Sequence, residues 1–158
     1  MIFVTFGNAP LDFTRLAKEI DRITLELNEE VFVQSGYTNF PFKFAKSKHF
    51  LDSKRMQEIT IKASIVVSHG GWGTIAECLD YGKRLVAVPR VQGIEHNHPQ
   101  EELVRALEQL DCLIAVYEIC NLKSAIERIR SFSPQPLARG NASKTINNFL
   151  LSTLQDVR

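Results

Sequence analysis

Short apolar runs alternate along the chain with longer segments whose apolar residues return every third to fifth position. Residues 1–6 form an apolar run closed by Gly7-Asn8-Ala9-Pro10, a strand followed by a turn. Leu11, Leu16, Ile20, Ile23 and Leu27 then recur with the spacing of a helix's buried face. Val31-Phe32-Val33 reads as a second strand, ending at Gln34-Ser35-Gly36. Between Tyr37 and Phe50, aromatic and basic residues alternate around Pro41, and the pattern predicts only a short strand near residues 42–45. Asp52 or Ser53 is placed to cap a helix running to about Lys62.

Residues 64–67 are apolar almost throughout, as expected for a parallel strand covered on both faces. A glycine loop follows, then a helix to Tyr81 with Gly82 as its left-handed stop. Residues 85–88 form the next strand, ended by Pro89. A polar loop runs to His98, and Pro99 stands at the expected first position of a helix that carries Leu103, Val104, Leu107 and Leu110. Residues 113–116 are the last predicted strand. A helix near 122–129, a proline-rich break at 133–136 and a final helix near 142–154 complete the pattern.

Repeated strand-then-helix order predicts an α/β fold over residues 1–158, a single Rossmann-like domain of three layers. Its sheet is mainly parallel, and right-handed crossovers place helices on both faces. Ligands of such sheets bind beyond the carboxyl ends of the strands. Gly7-Asn8, Ser68-His69-Gly70 and residues 89–95 all fall at that edge, so three separate segments converge on one cleft.

Length and charge narrow the function classes. The 158 residues suffice for one domain with a substantial core. With 19 basic and 18 acidic residues, the net charge of +1 gives no field directed at nucleic acid or an anionic membrane, so no nucleic-acid partner is expected. The basic stretch from Lys43 to Lys48 reads as a solvated loop. Cys78, Cys112 and Cys120 lack a paired spacing, and Cys78 and Cys112 sit among apolar residues, which predicts buried thiols and a reducing, cytoplasmic setting. No signal peptide is visible, and no apolar stretch approaches the about 20 residues of a membrane helix. A role at the membrane is therefore expected to run through a partner.

The segment Val66-Val67-Ser68-His69-Gly70-Gly71-Trp72-Gly73-Thr74-Ile75-Ala76-Glu77 carries the chemistry. An apolar run ends in a polar residue, a histidine and three glycines, and a helix then starts. Bare backbone N–H groups and the positive end of a helix dipole form an anion site where no side chain blocks approach. A dinucleotide fold would require G-x-G-x-x-G after the first strand and an acid about 20 residues on. Gly7-Asn8-Ala9-Pro10 and Gln34 supply neither. A nucleoside-triphosphatase loop would require a lysine before its Ser/Thr, and Gly73-Thr74 has none beside it.

His69-Gly70-Gly71-Trp72-Gly73-Thr74-x-x-Glu77, then Gly82, then Pro89, resembles the donor signature of UDP-sugar transferases of the GT-B class. Val4-Thr5-Phe6-Gly7, Phe50-Leu51-Asp52 followed by Met56, and Glu95-His96-Asn97-His98 are similar to the glycosyltransferase family 28 C-terminal domain. Within it, the chain looks most like the small donor-binding subunit of two-component transferases that build exopolysaccharides or lipid-linked oligosaccharides. The resemblance covers roughly residues 1–116.

That resemblance implies an inverting hexosyltransferase, acting on a UDP-sugar and a lipid-linked sugar acceptor. A membrane-anchored, acceptor-binding partner would hold the chain at the cytoplasmic membrane face. By the same resemblance, Gly7 and Asn8 approach the diphosphate from the first strand's end. Ser68, Gly70, Gly71 and Gly73 form the loop around it, with His69 and Thr74 donating to phosphate oxygens. Glu77 accepts the ribose hydroxyls, uracil meets backbone near Phe50 and Leu51, and Glu95, Asn97 and Gln100 face the donor sugar. No metal or other cofactor is expected. His96 and His98 lack the further ligands that would complete a metal site. The catalytic base is not identifiable. Arg84 replaces the proline usual after the signature glycine, and Pro99 displaces the usual glutamine, leaving Gln100 one place late.

Plainer readings stand beside these. Trp72 serves as a packing residue at the helix start, and Glu77 complements the helix dipole. Asn97, Glu101 and Glu102 fit helix-start chemistry. Ile146, Phe149, Leu150 and Leu154 form an apolar stripe suited to packing or to a partner. The competing function is a non-catalytic nucleotide-sugar-binding or enhancer subunit of a partner transferase. A UDP-sugar 2-epimerase needs two lobes in one chain, and this sequence accounts for one.

Overall fold

A computed structural model describes residues 1–137. The expected helix near 142–154, with its apolar stripe, lies outside the described residues. Six strands form a parallel sheet in the order β3-β2-β1-β4-β5-β6. They are β1 (Ile2–Thr5), β2 (Val31–Gln34), β3 (Lys46–Lys48), β4 (Ile65–His69), β5 (Leu85–Val88) and β6 (Ile114–Ala115). The connecting helices are α1 (Thr14–Thr24), α2 (Ser53–Lys62), α3 (Trp72–Asp80), α4 (Glu101–Gln109) and α5 (Leu122–Ile129). Strand order reverses between β1 and β4, and the crevice at such a reversal is where ligands of open α/β sheets bind.

Strand alternation divides the core into two layers. Ile2, Val4, Val33, Ile65, Val67 and Val88 pack against α1 and α5 through Leu16, Ile20, Ile23, Leu122, Ile126 and Ile129. Phe3, Val66, Leu85 and Ala87 face the other way, toward Ile59, Ile75, Cys78, Val104 and Leu107. Both faces of the central strands are therefore dry, which is why their sequences run apolar without a break. Leu110, expected on the inner face of α4, is 56% exposed because the helix ends at Gln109.

Two of the differences from the sequence reading have an identifiable reason. The predicted strand near 42–45 is displaced to Lys46–Lys48, pairing from Phe32↔Lys46 onward. The amides of Lys43, Phe44 and Ala45 are taken instead by the buried carboxylate of Asp21 on α1, at 2.9–3.1 Å. They have no hydrogen left for a ladder. Pro99 is not the first residue of α4. The first turn closes from Val104 N–H to the Gln100 carbonyl, and the helix begins at Glu101.

Burial pushes the Asp21 carboxyl up, but the three backbone amides and nearby Lys43 outweigh it and hold the group below its ordinary value. Its stabilisation is therefore present above the unfolded pKa of 3.8 and is lost as pH falls through the folded value. Asp21→Ala strands three amides, and at about 1–3 kcal/mol for an unsatisfied buried group it should cost roughly 2–3 kcal/mol in urea denaturation at pH 7. The cost should shrink toward pH 3.

Candidate functional site at the carboxyl edge

The tips of β1, β2 and β4 and the start of α3 surround a cleft of about 280 Å³. Its walls include Gly7 and Asn8 from the β1 turn, Leu51 from the β3 loop, and His69, Gly71, Gly73 and Thr74 from the glycine loop. Seven of the residues expected at a donor site thus meet in one place. Three larger hollows, about 490, 520 and 390 Å³, lie by Arg84 and Pro134, by Arg90 and Arg105, and by Ser124 and Arg128. Size does not select the site; the concentration of backbone donors does.

The start of α3 has the chemistry to receive an anion. Gly71 precedes its first residue, no side chain caps it, and no acidic side chain occupies its first turn. In contrast, Asp52 caps α2 by accepting the Arg55 N–H at 2.8 Å. The amides of Gly73 and Thr74 fall in the α3 first turn, where no intrahelical carbonyl reaches them. The helix dipole adds positive potential at the same point.

His69, the last residue of β4, stands between two glycines. A Cβ at Gly7 would come within 2.3 Å of its Nε2, and one at Gly71 within 2.1 Å of its Cε1. The imidazole thus fits only where both side chains are missing. Nδ1 accepts the Gly71 N–H at 2.9 Å, which leaves the ring proton on Nε2, beside the Gly7 turn. Burial, and then the charges of Arg90 and His96, lower its pKa from 6.5 to about 4. The ring is a neutral donor near pH 7.

The unfolded chain takes up this proton near pH 6.5, whereas the folded ring resists until about pH 4, so His69 lowers stability as pH falls across that interval. Denaturation at pH 7 and pH 5 checks this: the stability difference between the two should be smaller in His69→Gln than in the parent protein.

The remaining expected residues are held elsewhere. Ser68 is buried and donates to the His69 carbonyl at 3.0 Å. Gly70 donates its N–H to Gln100 Oε1 at 3.0 Å, and that same oxygen accepts the Arg90 N–H at 3.0 Å. Gln100 is 6% exposed and ties the β4 loop to the β5 loop. A Cβ at Gly70 would meet its Cβ at 2.8 Å, so glycine is what lets the two loops close. Glu95 accepts from Arg15 Nε and Nη2 and from the Val91 N–H, at 2.9–3.1 Å. Both its carboxylate oxygens are committed to anchoring the loop. Asn97 is exposed on that loop, outside the cleft walls. Glu77 lies one turn beyond Gly73 on α3, half-buried, and its carboxylate makes no hydrogen bond among the described residues.

Sequence reasoning missed Thr5, Gln34, Ser53 and Met56, which also line the cleft. The first two stand at predicted strand ends, so the carboxyl-edge rule itself would have found them. Trp72, expected to pack at the helix start, is 46% exposed and forms part of the cleft wall. Arg90 was also missed. It is 3% exposed, donates to the carbonyls of Phe6, Asp12 and Glu95, and lies 4.2 Å over the Phe13 ring, joining the β1 and β5 loops.

Among the described residues, no group of three or more histidine, cysteine or acidic side chains is placed to hold a metal, and no helix is long and apolar enough to cross a membrane.

Sheet order and crossover helices define a Rossmann-like lobe of the GT-B type. The chain belongs to the glycosyltransferase family 28 C-terminal domain family, whose model matches residues 1–154. Solved structures with the same fold include MurG of Acinetobacter baumannii, at 15% identity and TM-score 0.63, covering 96% of this chain and 49% of that one. The Streptomyces sp. SF2575 glycosyltransferase SsfS6, complexed with thymidine diphosphate, aligns at 24% identity and TM-score 0.58 over 82% of this chain and 32% of that one. The calicheamicin glycosyltransferase CalG4 gives 15% identity and TM-score 0.65 over 82% and 33%. The chain therefore spans between about a third and a half of the length of these proteins. No curated protein matches the sequence significantly.

Proposed function

We propose that this chain is the donor-binding lobe of a UDP-sugar-dependent glycosyltransferase. It passes a hexose or N-acetylhexosamine to a lipid-linked sugar acceptor, in exopolysaccharide or capsule synthesis. Residues 1–158 act as one such lobe, and a membrane-anchored partner at the cytoplasmic membrane face supplies the other, with the acceptor. The observation that carries the reading is the uncapped start of α3 beside a neutral His69 and the Gly7–Asn8 turn. That arrangement is suited to a diphosphate.

In the transfer, the acceptor hydroxyl attacks the anomeric carbon, the bond from that carbon to the diphosphate oxygen breaks, and configuration inverts. Charge develops on the departing UDP. The amides of Gly73 and Thr74, the helix dipole and His69 Nε2–H stabilise it without reorganising. Glu77 accepts the ribose hydroxyls. The base that takes the acceptor proton comes from the partner lobe. Glu95 and Gln100, already bonded within the protein, shape the sugar side of the cleft by holding its loops rather than by contact.

Ligand-dependent melting tests the donor. At a concentration one hundred times its Kd, a ligand stabilises the native state by about 2.7 kcal/mol. UDP should raise Tm by several degrees, whereas AMP, GDP and NAD at equal concentration should not. No shift with millimolar UDP overturns the reading. Transfer of radiolabelled sugar by the chain co-expressed with its partner separates catalysis from the second reading, a non-catalytic nucleotide-sugar-binding subunit.

A further inference from the structure

Gln34 ends β2 and is 2% exposed, yet it faces a cleft rather than apolar core. Its Oε1 accepts the Thr5 hydroxyl proton at 2.6 Å. Its Nε2 donates to the His49 carbonyl at 2.9 Å and to the Gly7 carbonyl at 3.3 Å. With two carbonyls on one side and a hydroxyl on the other, the amide has only one orientation that satisfies it. Thr5 Oγ1, having given its proton to Gln34, accepts the Gly7 N–H at 3.3 Å. Gly7 is thus held by both its N–H and its C=O, through two buried side chains on adjacent strands that pair at Thr5↔Gln34.

This double hold sets a direction. The Gly7 carbonyl points toward the end of β2: Gln34 Nε2 reaches it, and a Cβ at Gly36 would lie 2.5 Å from its oxygen. The following peptide is trans, so the Asn8 N–H points the opposite way from that carbonyl. In the order β2-β1-β4, the opposite way is toward β4, where His69 and the α3 start stand. Gly7 takes φ +74°, a conformation that the chain adopts at little cost only with glycine.

We propose that Gln34, with Thr5, is a positioning residue that aims the Asn8 amide into the pyrophosphate cradle. The inference rests on the UDP-sugar reading. It assigns to a buried strand-end pair the task of turning one peptide toward the ligand, without touching the ligand itself. Gln34→Met keeps length and bulk but removes both donors and the acceptor. The Gly7–Asn8 peptide is then free to rotate, and one fixed amide is lost from the diphosphate.

Calorimetric titration with UDP and NMR titration with uridine test the assignment, on the parent chain and on Gln34→Met. Loss of one well-placed hydrogen bond to a charged group predicts about tenfold weaker UDP binding. Uridine, which lacks phosphate, should bind both proteins equally. A variant that weakens both ligands alike makes Gln34 a contact to the nucleoside or a general support, and overturns the proposal. Unchanged UDP binding overturns it as well. If Gln34→Met does not fold, Thr5→Val, which removes only the relay hydroxyl, is read with the same two ligands and the same criteria. If the parent chain itself fails to bind UDP, the functional reading falls and this inference falls with it; weaker UDP binding in the variant of a parent that does bind UDP concerns Gln34 alone.

Discussion

Glu77→Ala should weaken UDP binding by about a hundredfold while leaving the melting temperature nearly unchanged. Glu77 stands one helical turn, about 5.4 Å, beyond Gly73 on α3, and its carboxylate is not committed to a hydrogen bond within the described residues. Two ribose hydroxyls donating to one carboxylate form charge-assisted bonds of about 1.5 kcal/mol or more each. Their combined loss, about 3 kcal/mol, is about two decades in Kd. Alanine is a better helix former than glutamate, so the fold has no reason to suffer. Titration with 2′-deoxy-UDP sharpens the result. This ligand has already lost one of the two bonds, so the gap between parent and variant should narrow to about tenfold. Equal UDP affinity in parent and variant would remove Glu77 from the site.

Gly7→Ala should both destabilise the fold and abolish measurable UDP binding. Its φ of +74° costs an L-residue about 1–2 kcal/mol, and the new Cβ would stand 2.3 Å from His69 Nε2. The ring must move, which breaks its bond with the Gly71 N–H and misdirects the Nε2–H donor. Denaturation should show a loss of about 2–4 kcal/mol, the sum of backbone strain and of repacking a crowded site. Gly71→Ala isolates the second component. Its backbone, at φ −80°, is not strained, yet its Cβ would lie 2.1 Å from His69 Cε1. In a His69→Ala background that clash disappears, so Gly71→Ala should become nearly neutral for stability. A double-mutant cycle with no coupling between positions 69 and 71 would refute this packing account.

Much of this architecture was legible in the residues. The sheet's central strands announced themselves because both faces are covered, and β5 and α5 fall at the predicted positions. The cap of α2 was legible as Asp52 or Ser53, and the structure selects Asp52. The glycine loop was legible as well: a cleft wall of main-chain amides needs missing side chains, and missing side chains are visible in a sequence. The misplaced strand near 42–45 shows the opposite case. Its amides were claimed by Asp21, a residue more than 20 positions away, and no local pattern records such a partner.

The site divides along the same line. His69, Gly71, Gly73 and Thr74 could be assigned together because they are neighbours in the chain and their spacing is their geometry. Glu95 and Gln100 could not, since the same polar residues serve a ligand or a loop according to what stands opposite. Here Arg15 and the Gly70 and Arg90 amides stand opposite.

What the chain's own pattern determined is short-range: period, turn, cap, and a stretch of backbone left bare of side chains. Tertiary structure alone decided which polar side chains are spent inside the protein, that Trp72 lies at the surface, and that Thr5 and Gln34 meet across two strands to hold Gly7. The physical reason is that a hydrogen bond needs both of its partners at about 3 Å. Residues near in sequence bring their own separation with them, whereas distant ones acquire it only when the sheet has formed.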